Sequence, residues 1–184
     1  LLLTTTTTTF AQENPANLLV NGSFESGLEG WTITGKTMTT NDAWEGGTAV
    51  SLDPEPGGTA QISQWVNGLK PKGRYTVAAR IRTDDRIVPP ILGVRNGAQI
   101  AKAHGWVAID DEGKWLERRF EFHMDEDATS IEVYLQAWQT DLPAQVQFDD
   151  VRLWEGRQSP PSADPGDPPW PGAPEVATAP LPGE

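Results

Sequence analysis

The sequence predicts an all-β protein, a two-sheet β-sandwich of jelly-roll type, and three observations carry that prediction. Between Asn17 and Glu155, short segments of alternating character are broken by turn residues every eight to fifteen positions. No stretch sustains a helical period. The breaks themselves carry turn chemistry: Ser26-Gly27, Glu45-Gly46-Gly47, Pro56-Gly57-Gly58, Pro71-Lys72-Gly73, Asn96-Gly97 and Glu112-Gly113. Asn96-Gly97 is the strongest hairpin signal, because both residues accept the positive φ of a tight two-residue turn.

The elements follow in order. Candidate strands are Leu18–Glu25, Trp31–Lys36, Thr48–Asp53, Ala60–Val66 and Arg74–Thr83, then Ile91–Val94 with Ala98–Ala103, Trp115–Met124, Ser130–Trp138 and Gln145–Trp154. The stretch Thr37–Ala43 reads as a long insertion between two of them. Period-two alternation assigns the faces. Tyr75, Val77, Ala79 and Ile81 share one face, and Ile131, Val133, Leu135 and Ala137 share another; both read as core, as do Phe120, Phe122 and Met124. The opposite, outward faces carry Arg80, Arg82, Arg119, His123, Tyr134, Gln136 and Trp138, a mixture of aromatic platforms and multidentate hydrogen-bonding groups. If these strands are neighbours, one sheet face presents a surface suited to sugars; the alternative is a solvated face with ordinary cross-strand pairs.

Composition narrows the function. The chain has 184 residues, with Lys+Arg 14 and Asp+Glu 26, a formal net charge of -12. That balance argues against nucleic acid as a partner, since phosphate neutralisation needs clustered cations. It also disfavours anionic membrane surfaces, and no run of 18 apolar residues exists to insert into a membrane. Cysteine is absent, which excludes disulfides and thiolate chemistry. Trp is 8 against 5 Phe and 2 Tyr. Indole faces stack on sugar rings, so part of this excess reads as a binding surface and part as core or interface anchors.

The ends differ from the middle. Residues 1–16 open with three Leu and six consecutive Thr, read either as the tail of a secretory signal cleaved after Ala11 or as an extended strand able to add to a neighbour's sheet. Residues 157–184 are rich in Pro and read as a polyproline-like linker or tail, with Trp170 as its expected anchor. The core domain is therefore 17–156.

Three motifs carry a family resemblance. Asn17-Leu-Leu-Val-Asn-Gly-Ser-Phe-Glu-Ser-Gly-Leu-Glu-Gly-Trp31, Gln64-Trp-Val-Asn-Gly-Leu-Lys-Pro-Lys-Gly-Arg-Tyr-Thr-Val77 and Gln147-Phe-Asp-Asp-Val-Arg-Leu-Trp154 resemble, in the right order, segments of carbohydrate-binding modules of the family 4/9/22 type. The resemblance implies a jelly roll with a structural Ca²⁺ ion. Its side-chain ligands would fall at Glu25, Glu45 and Asp150, with main-chain carbonyls from Ser23 and Thr48; hard oxygen donors from distant segments suit that ion. Glu25 and Asp150 could equally be solvated or paired with an arginine. The resemblance also implies a sugar site on the concave sheet face or at the loop rim, with Trp65, Trp106 and Trp138 as aromatic candidates and Arg80, Arg82, Tyr134 and Gln136 around them. Trp44 is a weaker candidate on a loop, and Trp31 and Trp154 read as structural.

The expected function is thus a secreted or extracellular, cell-surface, non-catalytic module that binds a polysaccharide or glycan. The alternative is a structural subunit of an extracellular filament or surface layer, self-assembled from identical copies through its N-terminal strand and C-terminal tail. Catalysis finds little support. The acidic runs Asp110-Asp111-Glu112 and Asp125-Glu126-Asp127 sit at expected turns, His104 and His123 are the only histidines, and no nucleophile constellation or H-E-x-x-H motif occurs.

Overall fold

A computed structural model describes residues 16–83, 90–96, 99–105, 113–138 and 145–156. These lie within one unit, Pro15–Gln158. The described residues form ten strands and no helix: β1 (Thr32–Thr34), β2 (Thr37–Thr40), β3 (Ala49–Leu52), β4 (Thr59–Asn67), β5 (Arg74–Thr83), β6 (Ile91–Asn96), β7 (Gln99–Gly105), β8 (Leu116–His123), β9 (Ser130–Trp138) and β10 (Val146–Glu155). They pair antiparallel into two five-stranded sheets. The front sheet has the order β1-β4-β9-β6-β7, and the back sheet the order β2-β3-β10-β5-β8.

Alternation decides which residues fill the space between the sheets. Ile62, Leu92, Val94, Val133 and Leu135 come from the front sheet, and Val50, Leu52, Val77, Phe120, Phe148 and Leu153 from the back; all are buried. Each such side chain contributes roughly 1.5–3 kcal/mol on burial. The expected core faces of the Arg74–Thr83 and Ser130–Trp138 segments are those observed, as Tyr75, Val77, Ala79 and Ile81 and Ile131, Val133, Leu135 and Ala137 are buried. Trp31 and Trp154 are buried too, as their motif positions suggested.

Two elements differ from expectation. Leu18–Glu25 is not a strand but a series of bends and turns. Its backbone is satisfied by side chains instead of by a ladder. Asn17 donates from Nδ2 to the Val151 carbonyl (2.9 Å) and accepts from the Leu153 amide (3.0 Å). Gln64, an amide at an inward position of β4, accepts from the Val20 amide (2.7 Å) and donates to the carbonyls of Val20 (2.9 Å) and Gly30 (3.1 Å). Asn21 holds the following turn, donating to the carbonyls of Gly27 and Glu29. The second difference is Thr37–Thr40, expected to be an insertion, which is strand β2 and pairs with β3 along Thr37↔Leu52 to Thr40↔Ala49. Four residues without apolar alternation gave no strand signal, but consecutive β-branched threonines suit an edge.

The role of Gln64 is directly testable. Gln64→Ala leaves three main-chain groups without their partners, and partly buried groups lose about 1–3 kcal/mol each when unpaired. With water reaching some of them, a net loss of about 2 kcal/mol is expected in urea unfolding; a midpoint unchanged from the parent would show that the segment before β1 is not fastened this way.

Candidate functional site

The outward face of the front sheet gathers four of the sequence-derived sugar-site residues. In β9 the outward residues are Glu132, Tyr134, Gln136 and Trp138. Across the ladder to β4, Trp65 lies opposite Glu132, Ser63 opposite Tyr134, Gln61 opposite Gln136 and Thr59 opposite Trp138. On the other side of β9, Arg95, Gly93 and Ile91 of β6 face Glu132, Tyr134 and Gln136. Trp65 is 46% exposed and Trp138 48%, high values for indoles on a sheet. Since Trp65 is level with Glu132, six residues before Trp138, the two indoles stand about 20 Å apart along the strands.

Between them the face is polar and pre-arranged. Arg95 clamps Glu132 with two parallel bonds, Nε to Oε2 at 2.7 Å and Nη2 to Oε1 at 3.0 Å. That hydrogen-bonded guanidinium holds the Glu132 carboxyl below its ordinary range. The same guanidinium lies over the Tyr134 ring at 4.9 Å. Tyr134 is only 3% exposed, and burial raises its phenol. It is a floor of the face, not a stacking platform. Gly93 makes that floor possible: a Cβ there would fall on the Tyr134 ring. Gln61 and Gln136, side by side and half-buried, each present an amide with donors and an acceptor.

Arg80 and Arg82, expected beside Trp138, are elsewhere. Strand β5 pairs with β10 and β8, so both arginines lie on the back sheet, on the opposite side of the sandwich. Period-two reading assigns a residue to inside or outside but does not say which of the two sheets its strand joins. There Arg82 pairs with Asp42 (2.8 Å) and its guanidinium lies 6.0 Å from the Trp115 ring. Arg80 sits 4.3 Å over the Trp44 ring and reaches Glu117 at 3.4 Å. Arg119 faces Ala78 on the same sheet, and His123 accepts a bond from Arg74 (3.2 Å). Trp106 lies outside the described residues, as do the Thr4–Thr9 segment, Trp170 and the Pro-rich tail.

The expected metal ligands divide similarly. Glu25 Oε1 accepts the amides of Gly47 (2.9 Å) and Thr48 (3.1 Å). Gly46 has positive φ (71°), and a Cβ on it would collide with the Glu25 carboxylate. The second carboxylate that bonds amides of this loop is Asp149. Asp149 is 1% exposed and accepts the amides of Trp44 (2.8 Å), Glu45 (3.3 Å) and Asp150 (2.7 Å). Burial pushes its carboxyl up, the amide bonds hold it back, and nearby Glu25 adds to the rise. Asp150 turns away to Arg152 at 2.9 Å, and burial pushes it up to about 6. A register break between Asp149 and Arg152, with Asp150 at φ 46°, makes this division. Glu45 contributes its amide to Asp149, while its side chain and Ser23 are exposed. Among the described residues, no group of three His, Cys, Asp or Glu is arranged around one point.

Comparison with known proteins bears on the family and the fold. A family model described as a carbohydrate binding domain matches residues 16–143, more than two thirds of the chain. Exochitinase 1 of Streptomyces olivaceoviridis is 25% identical over 135 residues, 73% of this chain but 21% of that enzyme, so the chain spans about a fifth of its length. Among solved structures, a family 61 carbohydrate-binding module in complex with β-1,4-galactotriose superposes with a TM-score of 0.61 at 20% identity, covering 77% of this chain and 99% of the other. A cyclase from Fischerella sp. TAU superposes equally well, with a TM-score of 0.62 at 15% identity over 80% of this chain and 100% of the cyclase. At such identities the superpositions establish the shared sandwich and leave the ligand to the side chains.

Proposed function

Because this chain belongs to the carbohydrate binding domain family, we propose that the outward face of its front sheet is where it holds a glycan. The observation that carries this assignment is the pair of half-exposed indoles, Trp65 and Trp138, flanking a polar strip on adjacent strands. An aromatic face supplies stacking area, and the amides of Gln61 and Gln136 meet vicinal hydroxyls, each of which donates and accepts. The single cation on this face, among the described residues, is Arg95, already neutralised by Glu132. A neutral sugar chain is therefore the ligand we assign. The module acts by binding alone, without catalysis, and outside the cell, where polysaccharides are met. No helix of the described residues is long and apolar enough to cross a membrane.

Titration with cello-, xylo- and galacto-oligosaccharides, read by heat and by tryptophan fluorescence, tests the assignment. Binding of at least one series with an indole response is expected; silence in all three would remove the glycan reading of this face.

Calcium is the second part of the proposal. The donor set fits a hard cation: the carboxylates of Glu25 and Asp149 address one loop, Glu25 adds to the rise of the Asp149 carboxyl, and the carbonyls of Ser23 and Thr48 lie on the segments they join. Bound there, the ion would fasten the loop between β2 and β3 to β10. An ion held by the native state alone adds RT ln(1 + [L]/Kd) of stability, about 2.7 kcal/mol at a hundredfold excess over Kd. Melting should therefore be several degrees higher in calcium than in chelator, and Asp149→Asn should erase the difference. Superimposable curves for the parent would refute the site.

A further inference from the structure

We propose that the outer face of the back sheet is a second glycan-binding surface, taking a neutral sugar chain between the Trp44 loop and Trp115, on the side of the sandwich opposite Trp65 and Trp138. The motivating observation is where hydrogen bonding is incomplete. Buried side-chain atoms with no partner include Trp44 Nε1, Ser51 Oγ, Arg80 Nε, Gln147 Oε1 and Arg152 Nε. All belong to the back sheet or to the loop that lies on it, and among the described residues no such atom belongs to the front sheet. Ser51 is 0% exposed and Gln147 6%, so Ser51 Oγ and Gln147 Oε1 are buried polar atoms without a protein partner. Native proteins tolerate few of these, and a cluster marks a place where a further polar group belongs.

The geometry says what that group is. Ser51 of β3, Gln147 of β10 and Arg82 of β5 stand in one cross-strand row, Ser51↔Gln147 and Gln147↔Arg82, which runs on to the Trp115 ring below the Arg82 guanidinium. Trp44 flanks the row, its ring under Arg80. The unpaired set mixes obligate donors (guanidinium and indole N–H), an obligate acceptor (the amide oxygen) and a hydroxyl that does both. An anion could answer only the donors, and it would meet Glu117, Asp150 and Asp42 on the same face and a chain of net charge -12. Sugar hydroxyls answer donors and acceptors together. Half-buried indoles, Trp115 at one end of the row and Trp44 beside it, offer the stacking area that a hydroxyl-rich ligand needs. Entry requires the Trp44 loop to release its amide bonds to Asp149, so this surface opens to ligand in the calcium-free protein.

Calorimetric titration of the full chain with cello-, xylo- and galacto-hexaose tests this, using the parent, Trp138→Ala and Trp115→Ala, with Arg82→Gln as the milder back-sheet variant. The parent is expected to bind two equivalents. Trp138→Ala should keep the back-sheet equivalent, Trp115→Ala should keep the front-sheet one, and Arg82→Gln should weaken the back-sheet equivalent by about fivefold or more, about 1 kcal/mol. One equivalent in the parent, lost with Trp138→Ala and untouched by Arg82→Gln, would overturn the second surface while leaving the front-sheet assignment standing. Loss of all binding in Trp115→Ala and Arg82→Gln, with Trp138→Ala unaffected, would instead move the only site to the back sheet. If Trp115→Ala melts early, Arg82→Gln decides alone.

Discussion

Trp138→Ala is expected to weaken glycan binding on the front sheet by about tenfold or more, with the fold intact. The indole is 48% exposed, so its removal opens no cavity and costs little stability. What it removes is a flat apolar platform next to the Gln61–Gln136 pair. Stacking of a ring on an indole is worth about 1–3 kcal/mol in the well-measured case of nucleobases, and the lower end of that range already corresponds to about fivefold in Kd. The loss should appear in affinity, with the melting temperature within a degree or two of the parent. Trp65→Ala should act more weakly on short oligosaccharides, because a short chain seated at Trp138 does not reach about 20 Å along the strands. If Trp138→Ala binds the hexaoses as the parent does, the front face loses its central argument.

Gly93→Ala is expected to have the other large effect, on both stability and binding. The added methyl would fall on the Tyr134 ring. The ring has no free direction: β6 and β4 strands flank it, and the Arg95 guanidinium lies over it. Overpacking of this kind costs about 1–3 kcal/mol. A displaced Tyr134 also disturbs Arg95 and, through the two-bond clamp, Glu132. Gly93→Ala with Tyr134→Phe should not recover the stability, since the clash is with ring carbons as well as the hydroxyl, whereas Tyr134→Ala in the same chain should recover part of it. Unfolding in urea measures the first effect and titration the second. A Gly93→Ala protein as stable as the parent would show that Tyr134 does not lie against β6.

Much of the fold was legible because alternation is a local property. Arg74–Thr83 and Ser130–Trp138 coincide with β5 and β9, and their inward residues are those that period two selects. Leu18–Glu25 misled because apolar residues in an extended run look alike whether their amides join a ladder or are held by Asn17 and Gln64; the information lies 44 residues away, on β4. β2 was hidden because an edge strand of Thr and Met has no core face to reveal it. The candidate site was half legible. Trp65, Tyr134, Gln136 and Trp138 come together because β4 and β9 are neighbours, but Arg80 and Arg82 depart with β5, and sheet membership is set by long-range pairing that no local pattern encodes. Which of the two adjacent aspartates reaches the Trp44–Glu45 loop was illegible for a smaller reason. A one-residue break in register decides which of them accepts those amides, and Gln147-Phe-Asp-Asp reads the same either way.

The side-chain fastening of the first segment has a consequence for how such a unit is carried. Leu18 donates its amide to the Leu153 carbonyl (2.8 Å), and Asn17 grips Val151 and Leu153, so the entering and leaving backbones run side by side. The first and last described backbone segments of the sandwich thus lie beside each other. A host could accept it within a surface loop as readily as at a terminus, because the loop's two cut ends need to separate by little more than a strand spacing of about 4.8 Å. Force applied at these two segments would fall first on the bonds of Asn17 and Leu18 to Val151 and Leu153.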